Sequence, residues 1–284
     1  MLQEDFTFVS ASEYSLNEIV GINNRVWKGY FRDMTTDVSG FSNLMRLYTA
    51  DISQSVVALN EEKYPVGLTN LGVRGSEGWV AGFALDPEYR KKGLGSKLMQ
   101  EIINRASNLG LSMLYLEFIE ENVAASKLYT RLGFIPTGKL ISFKLPVEEL
   151  LTSLDEEQLL DTEVSWINPH WTSNRTPMCW TRQAFTIRSG KHISAALKDS
   201  LGMPRTGLLV KYDKKDVIIL DSLITINSTV DDFIALLKYF VNDTTENIQI
   251  FNEPEGSPFS KFLENMGFKV ILSQWGMSLK IGKH

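Results

Sequence analysis

The chain has 284 residues, 43% of them hydrophobic, which is enough for a buried core and too much for a disordered or fibrous protein; at roughly 100–200 residues per domain, two domains are expected. A net charge of -5 argues against attraction of the whole molecule to nucleic acid or an anionic membrane, so an anionic ligand needs a local basic patch. Cys179 is the one cysteine and His170, His192 and His284 lie far apart, which excludes an internal disulfide and leaves no metal site expected.

The opening Met1-Leu2-Gln3-Glu4-Asp5-Phe6 carries acids where a signal peptide carries bases, and no apolar run approaches the roughly 18 residues of a spanning helix. A cytoplasmic protein is expected, with no membrane and no nucleic acid among its partners. Phe6 to Val9 reads as a strand. Leu16, Ile19, Val20, Asn23 and Trp27, then Phe41, Leu44, Met45 and Tyr48, have helical spacing and predict two helices connected through Gly29 to Gly40. Val56 to Leu59, Val66 to Leu71 and Trp79 to Leu85 are β-like and separated by turn formers, an antiparallel meander.

After Asp86-Pro87 a single apolar stripe, Leu94, Leu98, Met99, Ile102, Ile103, Ala106 and Leu109, predicts a long helix that Gly110 ends. A strand follows at Met113 to Ile119, then a short helix with Ala125, Leu128 and Leu132 on one face before Gly133. A pair of β-like segments from Gly138 to Leu145 completes the first half, and Pro146 to Thr162 reads as a linking helix. The second half repeats the order, with strands at Leu208 to Tyr212, Val217 to Leu220 and Ile248 to Phe251 and a helix around Val230 to Val241. Aligning Gly267-Phe268 on Gly133-Phe134 places Met266 on Leu132 and Phe262 on Leu128. The expected domains are therefore 1–146 and 164–284, joined by a linker at 147–163, as two copies of one α/β fold.

The sharpest feature is Arg90-Lys91-Lys92-Gly93-Leu94-Gly95-Ser96-Lys97, four basic residues between a strand and a long helix in an acidic chain. Two glycines allow close backbone approach, and the helix behind them directs unpaired N–H groups outward, an arrangement suited to phosphate. A Walker A loop would need Lys directly after Gly95, where Ser96 stands, and a dinucleotide fingerprint would need glycine at Leu98. The plain alternative is a basic helix entrance that binds nothing.

R-x-x-G-x-G at this junction, followed after a strand by Asn122-Val123-Ala124-Ala125-Ser126-Lys127-Leu128-Tyr129-Thr130-Arg131-Leu132-Gly133-Phe134, resembles the GNAT superfamily of acyl-CoA-dependent N-acyltransferases. The match runs from about Val56 to Phe134. The resemblance implies a mixed, mostly antiparallel sheet flanked by helices in each of two tandem domains. It implies a cleft between the fourth and fifth strands that admits acetyl-CoA as co-substrate. The backbone of Phe83, Ala84 and Leu85 would pair with the pantetheine arm, Arg90, Lys91, Lys92, Gly93, Leu94, Gly95 and Ser96 would form the pyrophosphate loop, and Asn122 would bond the pantetheine chain or cap its helix. The tyrosine of the motif is the family's usual general acid, and Tyr129 matches it. Its plain alternative is a helix aromatic beside the core.

Acyl transfer to an amine needs a neutral nucleophile, a donor for the developing oxyanion and a proton for the leaving thiolate. A thiol pKa near ~8.5 and a tyrosine pKa near ~10 are close enough for Tyr129 to supply that proton. Glu117, on the strand face opposite Leu114, Leu116 and Phe118, is the candidate base; Glu120 and Glu121 are nearby alternatives. A backbone N–H near Ala84 or Leu85 would meet the oxyanion. In the second half, Tyr129 aligns with Leu263, Asn122 with Gly256 and Glu117 with Phe251, and no basic cluster follows Val217 to Leu223. This is the pattern of a degenerate copy, with Trp166, Trp171 and Trp180 read as packing residues near its start. The expected activity is N-acetyl transfer to a small-molecule or peptide amine; the competing reading is a non-catalytic acyl-CoA-binding regulatory module. The acceptor would lie against Trp27 to Met45, where Tyr30, Phe31, Arg32, Asp33 and Asp37 stand. A homodimer is compatible with the sequence.

Overall fold

The computed structural model describes residues 5–152, 164–166 and 179–282. In chain order these form β1 (Thr7–Ser10), α1 (Leu16–Val26), α2 (Val38–Tyr48), β2 (Ala50–Leu59), β3 (Pro65–Arg74), β4 (Glu77–Leu85), α3 (Leu94–Asn108), β5 (Met113–Ile119), α4 (Val123–Arg131), β6 (Ile135–Pro146), α5 (Val147–Leu151) and β7 (Val164–Trp166). There follow α6 (Ala184–Ser189), β8 (Ile193–Lys198), β9 (Pro204–Asp213), β10 (Asp216–Ile224), α7 (Val230–Phe240), β11 (Asn247–Pro254), α8 (Pro258–Asn265) and β12 (Lys269–Lys280). The order is that of an α/β protein with mixed sheets.

The chain divides into two compact units, Met1–Thr137 with Gly276–His284, and Gly138–Trp275. This division differs from the sequence expectation of 1–146, 147–163 and 164–284. β6 is one continuous strand rather than a pair of segments, and from Gly138 onward it belongs to the second unit, where Leu145 pairs with Ile248 and Phe143 with Ile250 of β11. The first unit is completed instead by the end of β12, which follows β5 in strand order, and Ile281 N–H donates to Ser112 O at 2.9 Å. A strand edge left bare would expose a row of unpaired backbone groups, so this position has to be filled by some strand. The expected linker begins as the short α5, whose Val147 and Leu150 are buried in the second unit's core; its remainder from 153 to 163 lies outside the described residues, as does Trp171.

In the first unit β1 to β4 run antiparallel and β5 joins β4 in parallel. One face of the sheet carries α1 and α2, with Ile19, Ile22, Val26, Phe41 and Met45 packed on Val57, Leu68 and Ala84. α1 starts at a capping box, Ser15 with Glu18, and α2 at Asp37, whose carboxylate accepts the Gly40 N–H. The other face carries α3, whose Leu94, Leu98, Met99 and Ile102 are fully buried. Each such side chain contributes about 1.5–3 kcal/mol of transfer free energy.

β4 contains a bulge. Asn70 pairs with Gly82 while Leu71 pairs with Val80, so Ala81 is extra. The bulge reverses which face each later residue addresses. Before it, a Cβ on Gly78 would meet Leu111 and Leu114 under the α3 face; after it, a Cβ on Gly82 would meet Trp27 on the α1 side, 3.6 Å away. β4 and β5 pair at Glu77 with Met113, Gly78 with Leu114 and Trp79 with Tyr115, and at no later position among the described residues. The two parallel strands then separate, and from Val80 to Leu85 β4 is laddered to β3 alone.

The second unit repeats this plan. β10 and β11 pair in parallel from Asp216 with Asn247 to Ile219 with Ile250, then separate, and a register shift between Ile219 and Asp221 marks a bulge at Leu220. β7, β8 and β9 extend the sheet antiparallel beyond β10. The second core gathers Phe143, Leu208, Val210, Phe233, Leu237, Ile248, Phe259 and Phe268.

Because the end of β12 covers β5, a chain truncated after Trp275 should lose the first unit's integrity even though it keeps residues 1–137. Hydrogen exchange should show the Met113–Ile119 amides losing at least about 100-fold of their protection; unchanged protection would show that β12 is dispensable there.

Candidate active site

The functional candidates of the first unit converge on the gap that opens between β4 and β5. Alternate residues of an antiparallel strand direct both backbone groups away from their partner. Along Val80 to Leu85 those groups face the gap and not another strand, which places Phe83, Ala84 and Leu85 on its wall with backbone donors and acceptors to offer. An extended chain carrying amides fits such a wall as an added strand.

At the end of β4 the chain turns through Pro87–Tyr89 into the basic loop. Lys91 has φ +62° and Gly93 φ +88°, both left-handed, with Lys92 between them. Positive φ is unstrained for glycine and costs a lysine of order 1 kcal/mol, so strain is held at Lys91. The alternation turns successive N–H groups toward one concavity. Gly93 is the N-cap of α3 and offers no side-chain cap, so the first turn around Leu94 and Gly95 points its donors outward; Ser96 and Lys97 bond back to Gly93 O. Lys91, Lys92 and Gly93 are exposed.

Arg90 has a different task from the one its charge suggests. Its Nε donates to Leu85 O at 3.0 Å, and its Nη2 donates to Lys28 O at 2.8 Å and Val26 O at 3.3 Å. The guanidinium fastens the end of α1 to the end of β4 and so fixes the mouth of the gap. Lys97 likewise points away from the loop, its Nζ 5.5 Å from the Phe6 ring centroid. A base the motif reading passed over is closer: Arg131 Nη2 donates to Ser96 Oγ at 2.5 Å. Arg131 stands at a variable position of its motif, and only folding brings α4's last turn to α3's first.

Tyr129 is held by the way α4 ends. Gly133 has φ +89°, its N–H donates to Thr130 O at 3.1 Å, and Phe134 N–H donates to Tyr129 O at 3.0 Å. This is a Schellman turn, in which the residue after the glycine packs on the third residue from the helix end. Here those two are Phe134 and Tyr129, ring centroids 5.9 Å apart. Phe118 of β5 lies 5.7 Å from the tyrosine and Phe83 of β4 6.3 Å. The ring therefore bridges the two separating strands. Tyr129 is buried, and that burial raises its pKa above the ordinary tyrosine value, with the nearby Tyr30 phenol adding to the effect. Its hydroxyl keeps its proton across the physiological range.

Asn122 takes the capping role that its residue type suits and also reaches Tyr30. Its Oδ1 accepts the Ala125 N–H at 3.1 Å as the N-cap of α4, and its side chain bonds the Tyr30 hydroxyl. Tyr30 packs edge-on against Trp27 at 4.7 Å, and burial raises its pKa while the Asn122 bond opposes the rise. It joins Asn122 and Tyr129 from the segment after α1, a meeting that sequence spacing could not reveal. That segment is pinned to α1: Asn24 Nδ2 donates to Thr36 O at 2.8 Å and its Oδ1 accepts the Thr36 N–H at 3.0 Å. Asp33 and Asp37 accept backbone N–H groups of Thr35 and Gly40, so both act in local turns, while Phe31 and Met34 are exposed beside them.

Glu117 lies on the other face of β5 from Phe118 and Tyr129. Trp79 Nε1 donates to its carboxylate, and Tyr48 of α2 packs edge-on against Trp79 at 5.0 Å. The acid and base candidates thus flank the gap from opposite sides.

Residues 23–134 match the model of the Acetyltransferase (GNAT) family. The chain is 38% identical over 58 residues to the [Ribosomal protein bS18]-alanine N-acetyltransferase of Escherichia coli K12, covering 20% of this chain and 39% of that protein. It is 36% identical over 63 residues to the spermine/spermidine N(1)-acetyltransferase of Bacillus subtilis 168, covering 22% of this chain and 41% of that protein. The matches thus span about two fifths of these relatives. A tandem GNAT protein from the clavulanic acid biosynthesis pathway superposes with TM-score 0.72 at 12% identity, covering 98% of this chain and 99% of that one. A GCN5-related N-acetyltransferase from Sphaerobacter thermophilus gives TM-score 0.66 at 11% identity, covering 97% and 96%. The fold of the first of these structures is thus shared by this chain over the 98% that superposes.

Replacing Arg90 by Leu leaves three carbonyls without their donor and should destabilise the chain by about 2–3 kcal/mol in urea unfolding, with the unfolding slope unchanged. A loss below about 0.5 kcal/mol would mean that the clamp does not hold the site's mouth.

Proposed function

On the premise that residues 23–134 carry a GNAT acetyltransferase domain, we propose that the chain is an N-acetyltransferase acting on a primary amine of a small molecule or peptide, with acetyl-CoA as donor. The observation that carries the reading is the tyrosine bridging β4 and β5 at the place where those strands part.

The bound donor supplies an activated acetyl thioester. The backbone of Phe83, Ala84 and Leu85 holds its amide-bearing arm, and Asn122 bonds the same arm from the far wall. The N–H groups of Lys91 to Gly95 hold the pyrophosphate, while Ser96, whose N–H is committed to Gly93 O, lies beside it through its hydroxyl, and Lys91, Lys92 and Arg131 supply the countercharge; Arg90 serves by shaping the loop. A backbone N–H at Ala84 or Leu85 meets the oxyanion as it develops. Tyr129 gives its proton to the departing thiolate. Burial keeps the phenol protonated where an amine becomes nucleophilic and also makes it a weaker acid; the thiolate beside it is desolvated by the same surroundings, which raises the thiol's pKa as well and keeps the transfer between the two groups feasible.

The amine approaches from the α1 and α2 side, where Glu117 and Trp79 stand. Glu117 receives the amine's proton through water, since a carboxylate of ordinary acidity is too weak to take it directly. Phe31, Met34 and the carboxylates Asp33 and Asp37 border this approach and favour an acceptor with a cationic end and an apolar stem.

Tyr129→Phe should lower kcat by roughly 100-fold or more while leaving CoA affinity within about twofold. Thiol release from acetyl-CoA over a panel of amines measures the first and calorimetry the second; CoA binding with no turnover on any amine would favour a sensor. The pH profile follows from the same shift. As pH rises the acceptor loses its proton, so kcat/KM should rise with the acceptor's pKa and show no descending limb below about pH 10. A descending limb at pH 8–9 that Tyr129→Phe abolishes would contradict the assignment.

A further inference from the structure

In the second unit β10 and β11 part after Ile219 and Ile250, as β4 and β5 do in the first. Here the parted strands meet another stretch of the same chain, Cys179 to Arg182, just before α6. Arg182 Nη1 donates to Phe251 O at 3.3 Å, and Nη2 stands 2.8 Å from Glu253 Oε2 and 3.9 Å from Asp221 Oδ1. Asp221 is on β10 immediately past the bulge; Phe251 and Glu253 are on β11 immediately past the last pairing. Both carboxylates are 2% exposed and Arg182 is 11% exposed. The neighbouring residues close around them: Asn252, at φ +57°, donates from Nδ2 to Thr181 Oγ1 at 3.0 Å and accepts at its carbonyl from Cys179 Sγ at 3.9 Å. The Trp180 side chain is among the largest fully buried ones, and its carbonyl accepts from Thr186 Oγ1 at 2.8 Å. Glu253 Oε1 accepts from Ser257 Oγ at 2.6 Å.

We propose that the cleft of the second unit is a guanidinium-binding site that the chain fills from within, with Arg182 as its built-in ligand. Two carboxylates buried at this depth require a cation, and a planar fork is the group that reaches two carboxylates and a strand carbonyl together. The contact to Glu253 is an ion pair and not an aligned hydrogen bond, since neither Arg182 Nη2 nor Glu253 Oε2 has a hydrogen-bond partner among the described residues. An untethered guanidinium is free to adopt the better alignment. The segment is fastened to β11, the counterpart of β5, at Phe251 and Asn252 and reaches Asp221 of β10, the counterpart of β4, so it occupies the space that a pantetheine arm laid along β10 would need. The chain therefore takes one acyl-CoA and not two; that stoichiometry, unlike the guanidinium site, rests on the reading of the first unit given above.

Chemical rescue tests the site in the full-length chain. Arg182→Ala should lower the melting temperature by roughly 10 °C, and millimolar methylguanidinium should restore more than half of the loss, while methylammonium at equal ionic strength should restore little. Equal effects of the two cations, or none, would overturn the proposal. Should Arg182→Ala fold only when methylguanidinium is present during refolding, that dependence is the expected result in stronger form. Arg182→Lys keeps the charge and loses the fork: it should fold with a smaller loss of melting temperature, and a lysine variant indistinguishable from the native chain would also overturn the assignment. Equilibrium dialysis with CoA separates the two readings. One equivalent per chain is expected, two would refute the filled cleft, and none would count against the first unit's site while leaving the rescue result to stand alone.

Discussion

Two parallel strands that pair for a few residues and then part create a debt that the rest of each unit settles. Past the point of separation, backbone donors and acceptors face a gap, and a buried amide without a partner costs on the order of 1–3 kcal/mol. In the first unit β4 and β5 part after Trp79 and Tyr115, and the surroundings hold the gap's geometry: Tyr129 spans the walls with its ring, Arg90 secures the mouth through Leu85 O, and the bulge at Ala81 aims Phe83 and Leu85 at one face and Ala84 at the other. A gap of this kind is a standing site for an extended, amide-bearing ligand. In the second unit the same parting is met by Arg182 and its neighbours.

The sequence signature around Tyr129 has two physical halves that separate cleanly between the units. One half is architectural. Gly133 takes a left-handed conformation, Phe134 folds back onto the helix, and the turn's paired hydrogen bonds close α4. The second unit retains all of this: Gly267 has φ +86°, its N–H donates to Glu264 O and Phe268 N–H donates to Leu263 O, both at 3.0 Å. The other half is chemical, and only the first unit has it. Leu263 stands where Tyr129 stands, fully packed and without a hydroxyl. A helix-closing turn is kept because the core needs it, whereas Leu263 fills its core position without the ring that spans the first unit's gap and without a hydroxyl.

Electrostatics in the first unit divide by distance from the loop. The basic cluster reads as one feature along the chain, yet its members diverge in space: Arg90 turns inward to carbonyls, Lys97 lies over Phe6, and Lys91 and Lys92 stay exposed at the turn. Arg131 arrives from α4 beside them. The loop therefore presents backbone amides and a redistributed set of side chains, not the run of four bases as such.

What the sequence determined by itself is what local chemistry dictates. Hydrophobic period set helices and strands, Gly93 and Gly133 marked a tight turn and a helix end, and the order of loop, strand and helix carried the resemblance to the acyltransferase pattern that contains Tyr129 and Asn122. These are legible because each depends on residues within a few positions of one another. The tertiary structure alone decided everything that depends on distant segments. It gave β6 from Gly138 onward to the second unit and returned the end of β12 to the first, since either strand satisfies an edge equally well along the chain and only the folded topology selects between them. It set Glu117 and Tyr129 on opposite sides of the gap, brought Tyr30 to Asn122, turned Arg90 into a clamp and drew Arg182 into the second cleft. Contacts between residues far apart in sequence leave no periodicity and no spacing to read, because the energy that selects them comes from burial and hydrogen-bond satisfaction in the assembled fold.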